Sequence, residues 1–362
     1  MRPTAASRAP TTGTGVALGP GREFSLIDAH VRAAAAQSTN PSVVLGIGDD
    51  AALIAPDPAQ LIALAVDTMV EGRHYWPHAD PQLLGHKLLC VNLSDLAAMG
   101  AEPVVCTLSL CLREDACTDW LSAFARGLGA ATAAFGCTLV GGDTVRLPVG
   151  APNVLTLQVL GQVPPGLALR RDAMVPGDEI WVSGRLGDPA DAVSSMTDNG
   201  KLNQPTPRLD LGYFLRGRAH AAIDLSDGLA SELGHLLAAS EYRLGQALSL
   251  WLNLDALSAC LGDRLTAHLR EGRLSRLQAC RLAAEGGDEY ELVFTAPPDQ
   301  HDALVQWGLE HALAMTPIGS VQVVGDAHPQ GLDWWFQSVR CRPEDCPRAG
   351  FDHFAAEAGA TS

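Results

Sequence analysis

Apolar and polar positions follow two different periodic patterns along this chain. Short apolar runs of strand length predict strands at 43–47, 61–66, 104–112, 139–140, 154–163, 180–182, 221–223, 248–252, 292–294 and 318–324. Between them, apolar residues recur every three or four positions at about 81–99, 118–135, 228–239 and 299–311, which predicts amphipathic helices. This alternation indicates an α/β and α+β fold in which helices are layered on sheets.

The turn-rich segment 164–178 divides the chain into two comparable halves. At 362 residues, two domains are expected. We predict a disordered tail at 1–20, an N-terminal domain at 21–163 and a C-terminal domain at 164–358. The Thr-, Ala-, Pro- and Gly-rich tail lacks the apolar core of a secretory signal.

Composition and charge narrow the function classes. Apolar residues make up 47% of the chain, which is typical of a globular protein, and no apolar run reaches the roughly 18 residues of a membrane span. The net charge of −16, with no Lys/Arg-dense segment, argues against nucleic acid and anionic membranes as partners. Nine scattered cysteines without a C-x-x-C motif give no sign of an oxidising compartment, so we expect a cytoplasmic protein.

Acidic residues recur beside glycines or small residues at the ends of the apolar runs. The stretches are Gly-Ile-Gly-Asp-Asp (46–50), Val-Asp-Thr (66–68), Asn-Leu-Ser-Asp (92–95), Gly-Gly-Asp-Thr (141–144), Asp-Leu-Ser-Asp-Gly (224–228) and Gly-Gly-Asp-Glu (286–289). Any one of them could be an ordinary turn, because Asp and Gly favour turns, and Ser226 or Asp227 could simply cap the helix that follows. Their joint occurrence in both halves is harder to explain by turns alone.

Asp95 has a position unusual for a carboxylate. Asp80-Pro81 predicts the start of a helix and Gly100 its end. Within that helix, Leu84, Leu88, Val91 and Asp95 share one face. A carboxylate on an apolar face needs a partner, which could be a core hydrogen bond, a salt bridge or a metal ion.

If these acids converge, their mutual repulsion requires cations. Oxygen ligands of this kind suit Mg²⁺, which commonly holds phosphates. Other phosphate and hydrolase signatures, including the P-loop, the kinase H-R-D motif and G-x-S-x-G, do not occur. The sequence therefore indicates a metal-dependent enzyme that handles phosphates.

The motifs together resemble the thiamine-monophosphate kinase family. The resemblance is carried by 46–52, 66–74, 91–101, 141–146, 168–171, 222–230, 286–292 and Gly-Phe-Asp-His-Phe at 350–354. It implies the two-domain fold of aminoimidazole ribonucleotide synthetase, with an N-terminal α/β dimerisation domain and a C-terminal α+β domain. It also implies phosphorylation of thiamine phosphate to thiamine diphosphate, with ATP as co-substrate and a homodimer as the assembly.

The resemblance also implies roles for individual residues. By motif position, the magnesium ligands are Asp50, Asp67, Asp95, Asp143, Asp224 and Asp227. The nucleotide contacts are Gly142, Asp143, Arg171 and Ser226, and the thiamine phosphate contacts are His74, Asp288 and Phe351. Asp49 and Glu289 are interpreted as turn residues.

Three motifs depart from the family pattern. Ala65 and Val66 replace Ser or Thr before Asp67, which removes hydroxyl ligands. Val145 replaces a usual Thr, and the order Asp288-Glu289 replaces Glu-Asp or Asp-Asp. Two alternatives therefore stay open at this point: another ATP-dependent synthetase of the same fold, and an inactive relative that binds thiamine phosphate.

The expected chemistry needs no strong base. A phosphate acceptor is largely deprotonated at neutral pH, its second pKa being about 6 by analogy with phosphoserine. What must be overcome is the repulsion between two polyanions, so we expect catalysis by positioning and by the charges of Mg²⁺ and Arg171.

Overall fold

The computed structural model describes residues 31–36, 39–197 and 200–348. The predicted tail at 1–20 and the predicted substrate contact Phe351 lie outside the described residues. The strands are β1 Val43–Leu45, β2 Leu53–Ile54, β3 Leu61–Val70, β4 Glu102–Leu112, β5 Thr138–Arg146, β6 Val154–Val163, β7 Glu179–Ser183, β8 Ala221–Asp224, β9 Leu248–Asn253, β10 Leu292–Ala296, β11 Met315–Val323, β12 Gly331–Phe336 and β13 Val339–Arg340.

The α-helices fill the intervals between these strands. They are α1 Arg32–Ala35, α2 Pro81–Ala98, α3 Thr118–Phe135, α4 Asp188–Ser195, α5 Gly200–Asn203, α6 Leu209–Leu215, α7 Leu229–Leu244, α8 Leu254–Leu257, α9 Asp263–Arg270, α10 Arg276–Glu285 and α11 His301–Glu310. Every predicted strand and helix is present; most ends are shifted, whereas those of β6 and α3 are as predicted. The elements α1, α4, α5, α6, α8, α9, α10, β2, β12 and β13 were not predicted.

A four-stranded sheet with the order β3-β6-β4-β5 forms the N-terminal half. Alternate residues of β4 and β6 are buried, so one face of this sheet is covered. Helix α3 packs against β5, and the β1–β2 pair packs near Val104 and Val140. On edge strand β3, in contrast, the side chains of Ile62, Leu64 and Val66 are more than half exposed.

Helix α2 is buried on nearly all sides rather than amphipathic, so that part of the prediction was wrong. The consecutive residues 87–94 are all buried, including Lys87, Asn92 and Ser94. A helix that is apolar around its circumference belongs to a core. Its predicted limits are correct, since Asp80 Oδ1 accepts the amide hydrogen of Gln82 at 2.8 Å and Gly100 has the left-handed φ of 62°.

A seven-stranded sheet with the order β13-β12-β9-β11-β7-β10-β8 forms the C-terminal half. It is mainly antiparallel, with one parallel pair, β9 and β12. The helices α7, α8, α9 and α10 bury leucines and alanines against it, among them Leu233 and Ala283. This core holds β8 and β10 in place; β8 leads into one acidic motif, at 224–228, and β10 follows another, at 286–289.

Residue contacts divide the molecule into two compact units. The first holds the described residues up to Asp57 together with Leu64–Asn92 and Pro103–Leu160. The second holds Pro58–Ala63, Leu93–Glu102 and the described residues from Gly161 onward. The domain limits at 21–163 and 164–358 remain a prediction. Within the described ranges, no helix is both long and apolar enough to cross a membrane.

Helices α2 and α3 cross so closely that a methyl group does not fit between them. A Cβ placed on Gly127 would lie 1.8 Å from the carbonyl oxygen of Gln82. Gly127→Ala should therefore lower the free energy of unfolding by about 1–3 kcal/mol through overpacking. Chemical denaturation followed by circular dichroism measures the change.

The matched control is Gly234→Ala, a substitution inside helix α7. No atom lies within 4 Å of a Cβ built at Gly234. Alanine should stabilise that helix by up to about 1 kcal/mol. Equal effects of the two substitutions would contradict the close crossing.

Candidate active site

The predicted residues of the first unit lie in strands and turns of the four-stranded sheet. Asp50 follows β1, and its amide donates to Asp49 Oδ1 at 2.9 Å, as expected for a turn. Asp67 was expected to close its strand, but β3 continues to Val70, so this prediction was wrong. The Asp67 amide donates to Asn92 Oδ1 at 3.0 Å, and fully buried Asn92 itself donates to the Leu88 carbonyl.

Gly142 and Asp143 were also expected at a strand end, and they instead lie within β5, which runs to Arg146. A Cβ on Gly142 would lie 1.9 Å from the Leu108 carbonyl oxygen of β4, so strand packing alone already requires glycine there. Asp143 is exposed, and its Oδ1 accepts the amide hydrogen of Thr144 at 2.9 Å. The carboxylate is thus presented on the surface of an edge strand.

His74 is half-buried in a tight turn after β3. Its Nδ1 accepts the amide hydrogen of Val70 at 3.0 Å, while its own amide donates to the Val70 carbonyl. An acceptor Nδ1 assigns the ring proton to Nε2 in the neutral form. The turn therefore selects the tautomer in which Nε2 is the hydrogen-bond donor.

In the second unit, the predicted residues gather around the start of helix α7. Asp224 ends β8, is buried, and accepts a hydrogen bond from Ser94 Oγ at 2.7 Å. Ser226 and Asp227 occupy the turn between β8 and α7. The helix N-cap is Gly228, without a side-chain cap, so the proposal that Ser226 or Asp227 is the N-cap was wrong.

A residue that the sequence did not single out holds this turn. Glu232, buried on α7, accepts a hydrogen bond from the Asp227 amide at 3.1 Å and one from Ser226 Oγ at 3.3 Å. The pKa of Glu232 is raised to about 7, chiefly by burial; the charges of Asp224 and Asp227 contribute to the rise, while the hydrogen bond from the Asp227 amide and the charge of Arg171 oppose it. The sequence feature that could have pointed to Glu232 is its position in the first turn of a helix, just after an acidic motif.

Arg171 is exposed, and its backbone lies beside this group. The Arg171 carbonyl accepts from Ser240 Oγ of α7 at 3.2 Å, and the neighbouring Arg170 carbonyl accepts from the Ala222 amide of β8. Arg170 is engaged with Asp172 through two hydrogen bonds of 2.8 and 2.6 Å, so the two arginines are not an equivalent solvated pair. Arg171 is the one whose charge acts on Glu232.

Asp288 lies in a strap, residues 286–291, that connects α10 to β10. Its amide donates to the Ser226 carbonyl at 2.8 Å, and the Tyr290 hydroxyl donates to its Oδ1 at 3.0 Å. The neighbouring Glu289 was interpreted as a turn residue, which was wrong. It is buried and paired with Lys201 at 2.8 Å.

Acidic groups gather at the start of α7. Burial is the largest cause of the raised pKa of Glu232 there, and the neighbouring charges of Asp224 and Asp227 add to it. Carboxylate oxygens in such a setting fit a hard divalent cation such as Mg²⁺. In the part of the chain that the structure describes, no group of three or more His, Cys, Asp or Glu side chains is placed to hold a metal ion.

Comparison with known proteins gives consistent matches. The family model "AIR synthase related protein, N-terminal domain" matches residues 48–163. The thiamine-monophosphate kinase of Salmonella typhimurium is 38% identical over 353 residues, covering 92% of this chain and 98% of the relative.

Two solved structures share the fold. The crystal structure of thiamine-monophosphate kinase from Stenotrophomonas maltophilia has a TM-score of 0.74 and 38% identity, covering 88% of this chain and 98% of that one. AaThiL complexed with AMPPCP and TMP has a TM-score of 0.68 and 25% identity, covering 92% and 97%.

The sheets, the acidic turns and these matches define a protein of the AIR synthase-related class, with the predicted two-domain fold. Within that class, the chain belongs to the thiamine-monophosphate kinase family. The resemblance read from the acidic motifs is thereby confirmed.

Glu232→Gln tests the charge at the start of α7 in metal-free protein. In the folded state the pKa of Glu232 is raised from its ordinary 4.5 to about 7. The unfolded chain therefore loses this proton first as pH rises, and the stability of the folded state falls between those two values. Glutamine keeps an oxygen acceptor without the charge, so the variant should gain up to about 3 kcal/mol over the wild type above pH 7.

Urea unfolding in the presence of EDTA, from pH 4 to pH 8, measures this difference. The gain should vanish near pH 4, where the carboxyl is protonated in both states. A gain of the same size at both ends of the range would show that charge is not its cause.

Proposed function

We propose that this protein is an ATP-dependent kinase that phosphorylates thiamine phosphate to thiamine diphosphate. The observation that carries the proposal is the 38% identity to a thiamine-monophosphate kinase along nearly the whole length of both chains. The fold shared with AaThiL complexed with AMPPCP and TMP adds to it. The second unit supports it locally, because the strap that carries Asp288 is hydrogen-bonded to the turn that carries Ser226.

The reaction is a direct in-line transfer. A phosphate oxygen of thiamine phosphate attacks the γ-phosphorus of ATP, the bond to the β,γ-bridging oxygen breaks, and that oxygen leaves with ADP. Since the acceptor is already an anion near neutral pH, no side chain has to remove a proton. The residues of the protein have to bind and orient two polyanions and exclude water.

Individual residues have distinct tasks in this proposal. Gly142, Asp143, Arg171 and Ser226 bind ATP, with Arg171 supplying positive charge to the phosphates. His74, through its Nε2 hydrogen, and Asp288 contact thiamine phosphate, and Phe351 is proposed as a third contact. The backbone turn that fixes the His74 tautomer is the structural support for its role as a donor.

Magnesium is the proposed cofactor. The residues that would hold several Mg²⁺ ions are Asp50, Asp67, Asp95, Asp143, Asp224 and Asp227. When bound, the ions neutralise phosphate charge and orient the transferring group. Ala65 and Val66 supply no hydroxyl beside Asp67, and the Val66 side chain lies on the exposed face of β3.

The proposed assembly is a homodimer in the cytoplasm. Ile62, Leu64 and Val66 expose a contiguous apolar row along edge strand β3, on the face that helices do not cover. A row of exposed apolar side chains on an edge strand favours association with another chain. A second copy of this chain is the proposed partner.

Purified protein incubated with ATP, Mg²⁺ and thiamine phosphate should form thiamine diphosphate and ADP in equal amounts. Asp95→Asn should lower kcat by at least about a hundredfold, because a neutral amide is a poor magnesium ligand. Chromatographic product analysis and thermal unfolding measure turnover and folding in parallel.

Asp119→Asn, at an exposed position in the first turn of α3, is the matched control and should retain activity. Near-normal turnover of Asp95→Asn would contradict its role as a metal ligand. Wild-type protein that binds thiamine phosphate without turnover would indicate an inactive relative, and turnover of another acceptor alone would indicate a synthetase of the same fold.

Leu64→Glu should convert the dimer to a monomer. Leu64 is 63% exposed on β3, and two buried carboxylates facing each other across an interface would repel. Light scattering coupled to size-exclusion chromatography measures the mass. Val149→Glu, at an exposed loop position outside the sheet, should leave the mass unchanged. A wild-type protein that is monomeric at micromolar concentration would refute the proposed interface.

A further inference from the structure

The strap joins two parts of the proposed active site. The amide of Asp288 donates to the Ser226 carbonyl at 2.8 Å, and the amides of Glu289 and Tyr290 donate to the Leu225 carbonyl at 3.1 and 2.9 Å. The Leu225 amide in turn donates to the Glu291 carbonyl at 2.8 Å. The strap is therefore held in register with the turn between β8 and α7.

The strap has a strained backbone. Asp288 and Tyr290 adopt left-handed φ angles of 61° and 52°, which are uncommon for residues other than glycine. Such conformations are strained and persist where the surroundings impose them. Something must therefore anchor this short segment.

The anchors are the side chains of Glu289 and Glu291, each 1% exposed. Arg208 binds Glu291 through two parallel hydrogen bonds of 2.6 Å, and Ser183 Oγ donates to the same carboxylate at 2.7 Å. Glu291 is therefore well satisfied by groups of its own.

Lys201 bridges the two anchors. Its Nζ lies 2.8 Å from Glu289 Oε2 and 3.3 Å from Glu291 Oε1, and it also donates to the Arg185 carbonyl. Glu289 receives a second hydrogen bond from the Gly187 amide. A buried carboxylate that loses its cation is strongly disfavoured, so the position of Glu289 depends on Lys201.

The length of Glu289 matters for this contact. The chain reads Asp288-Glu289 at this point of the strap. The longer side chain of Glu289 carries its carboxylate to Lys201, while the shorter side chain of Asp288 accepts from the Tyr290 hydroxyl.

We propose that Lys201 is a positioning residue: through Glu289 and Glu291 it fixes the strap and so holds Asp288 in place for the phosphate acceptor. The part of this inference that concerns contact between Asp288 and the phosphate acceptor rests on the proposed function. The effect of Lys201 on the strap itself stands on the contacts alone.

Lys201→Met removes the cation at similar side-chain length. It should raise KM for thiamine phosphate by about tenfold while KM for ATP changes by less than about twofold, since ground-state contact with the acceptor is what is lost. Lys201→Arg, which keeps the charge, should restore most of the affinity. Steady-state kinetics with each substrate varied in turn separates the two constants.

The matched control is Arg340→Met. Arg340 also pairs with a buried carboxylate, that of Asp333 at 2.8 Å, but it lies at the opposite edge of the seven-stranded sheet. This variant should lose thermal stability without a change in either KM. A Lys201→Met variant that behaves like it, or in which both KM values rise together, would overturn the positioning role.

Hydrogen–deuterium exchange provides a readout that is independent of activity. The amides of Asp288, Glu289 and Tyr290 should exchange faster in Lys201→Met than in the wild type or in Arg340→Met. Unchanged exchange would overturn the inference even if the kinase activity is confirmed. Faster exchange in a protein that does not use thiamine phosphate would refute the proposed function while confirming the anchoring.

The double variant Lys201→Met/Glu289→Gln keeps the test usable if Lys201→Met does not fold. It removes both charges, and glutamine still accepts from the Gly187 amide, so no buried charge is left unpaired. The double variant should fold and still show faster strap exchange. Wild-type exchange in this variant would overturn the inference.

Discussion

Burial of a carboxylate at the start of α7 is the constraint on which the second unit depends. The pKa of Glu232 is raised there to about 7, chiefly by burial and in part by the charges of Asp224 and Asp227. Neighbouring groups donate hydrogen bonds to these acids, as Ser94 does to Asp224 and the Asp227 amide does to Glu232. The fold therefore gathers acidic side chains at this turn and holds Asp224 and Glu232 in place by protein hydrogen bonds.

The strands were predictable because apolar runs reveal burial directly. The predicted strand ends were wrong where polar residues continue a strand, as at Asp67 and Asp143. There the backbone hydrogen bonds of the sheet extend beyond the apolar run. The helices α4, α5, α6, α8, α9 and α10 were missed because most are short, and α9 is dominated by polar residues. Helix α2 was predicted with correct ends but with the wrong burial. A helix that is apolar on all sides has no single apolar face, so the spacing of its apolar residues does not show that it is fully buried.

Local motifs predict candidate site residues, whereas residues that act through distant partners carry no local signal in the sequence. The turn at Ser226 and Asp227 is visible as a motif, and Asp288 as another. The pairing of Lys201 with Glu289 joins residues 88 positions apart, and that of Ser94 with Asp224 joins residues 130 apart. No local pattern specifies such contacts, because they depend on which elements the tertiary fold brings together.

The residues Leu93–Glu102 belong by their contacts to the second unit, although they precede β5, β6 and all of β4 except its first residue. The Met99 carbonyl accepts from the Leu169 amide at 3.1 Å, and the Gly100 carbonyl accepts from Arg216 at 2.6 Å. During synthesis this segment leaves the ribosome long before its partners exist. The second unit can therefore be completed only after the chain has been synthesised at least as far as residue 216. A fragment that begins at 164 would lack the segment Leu93–Glu102, which belongs to this unit.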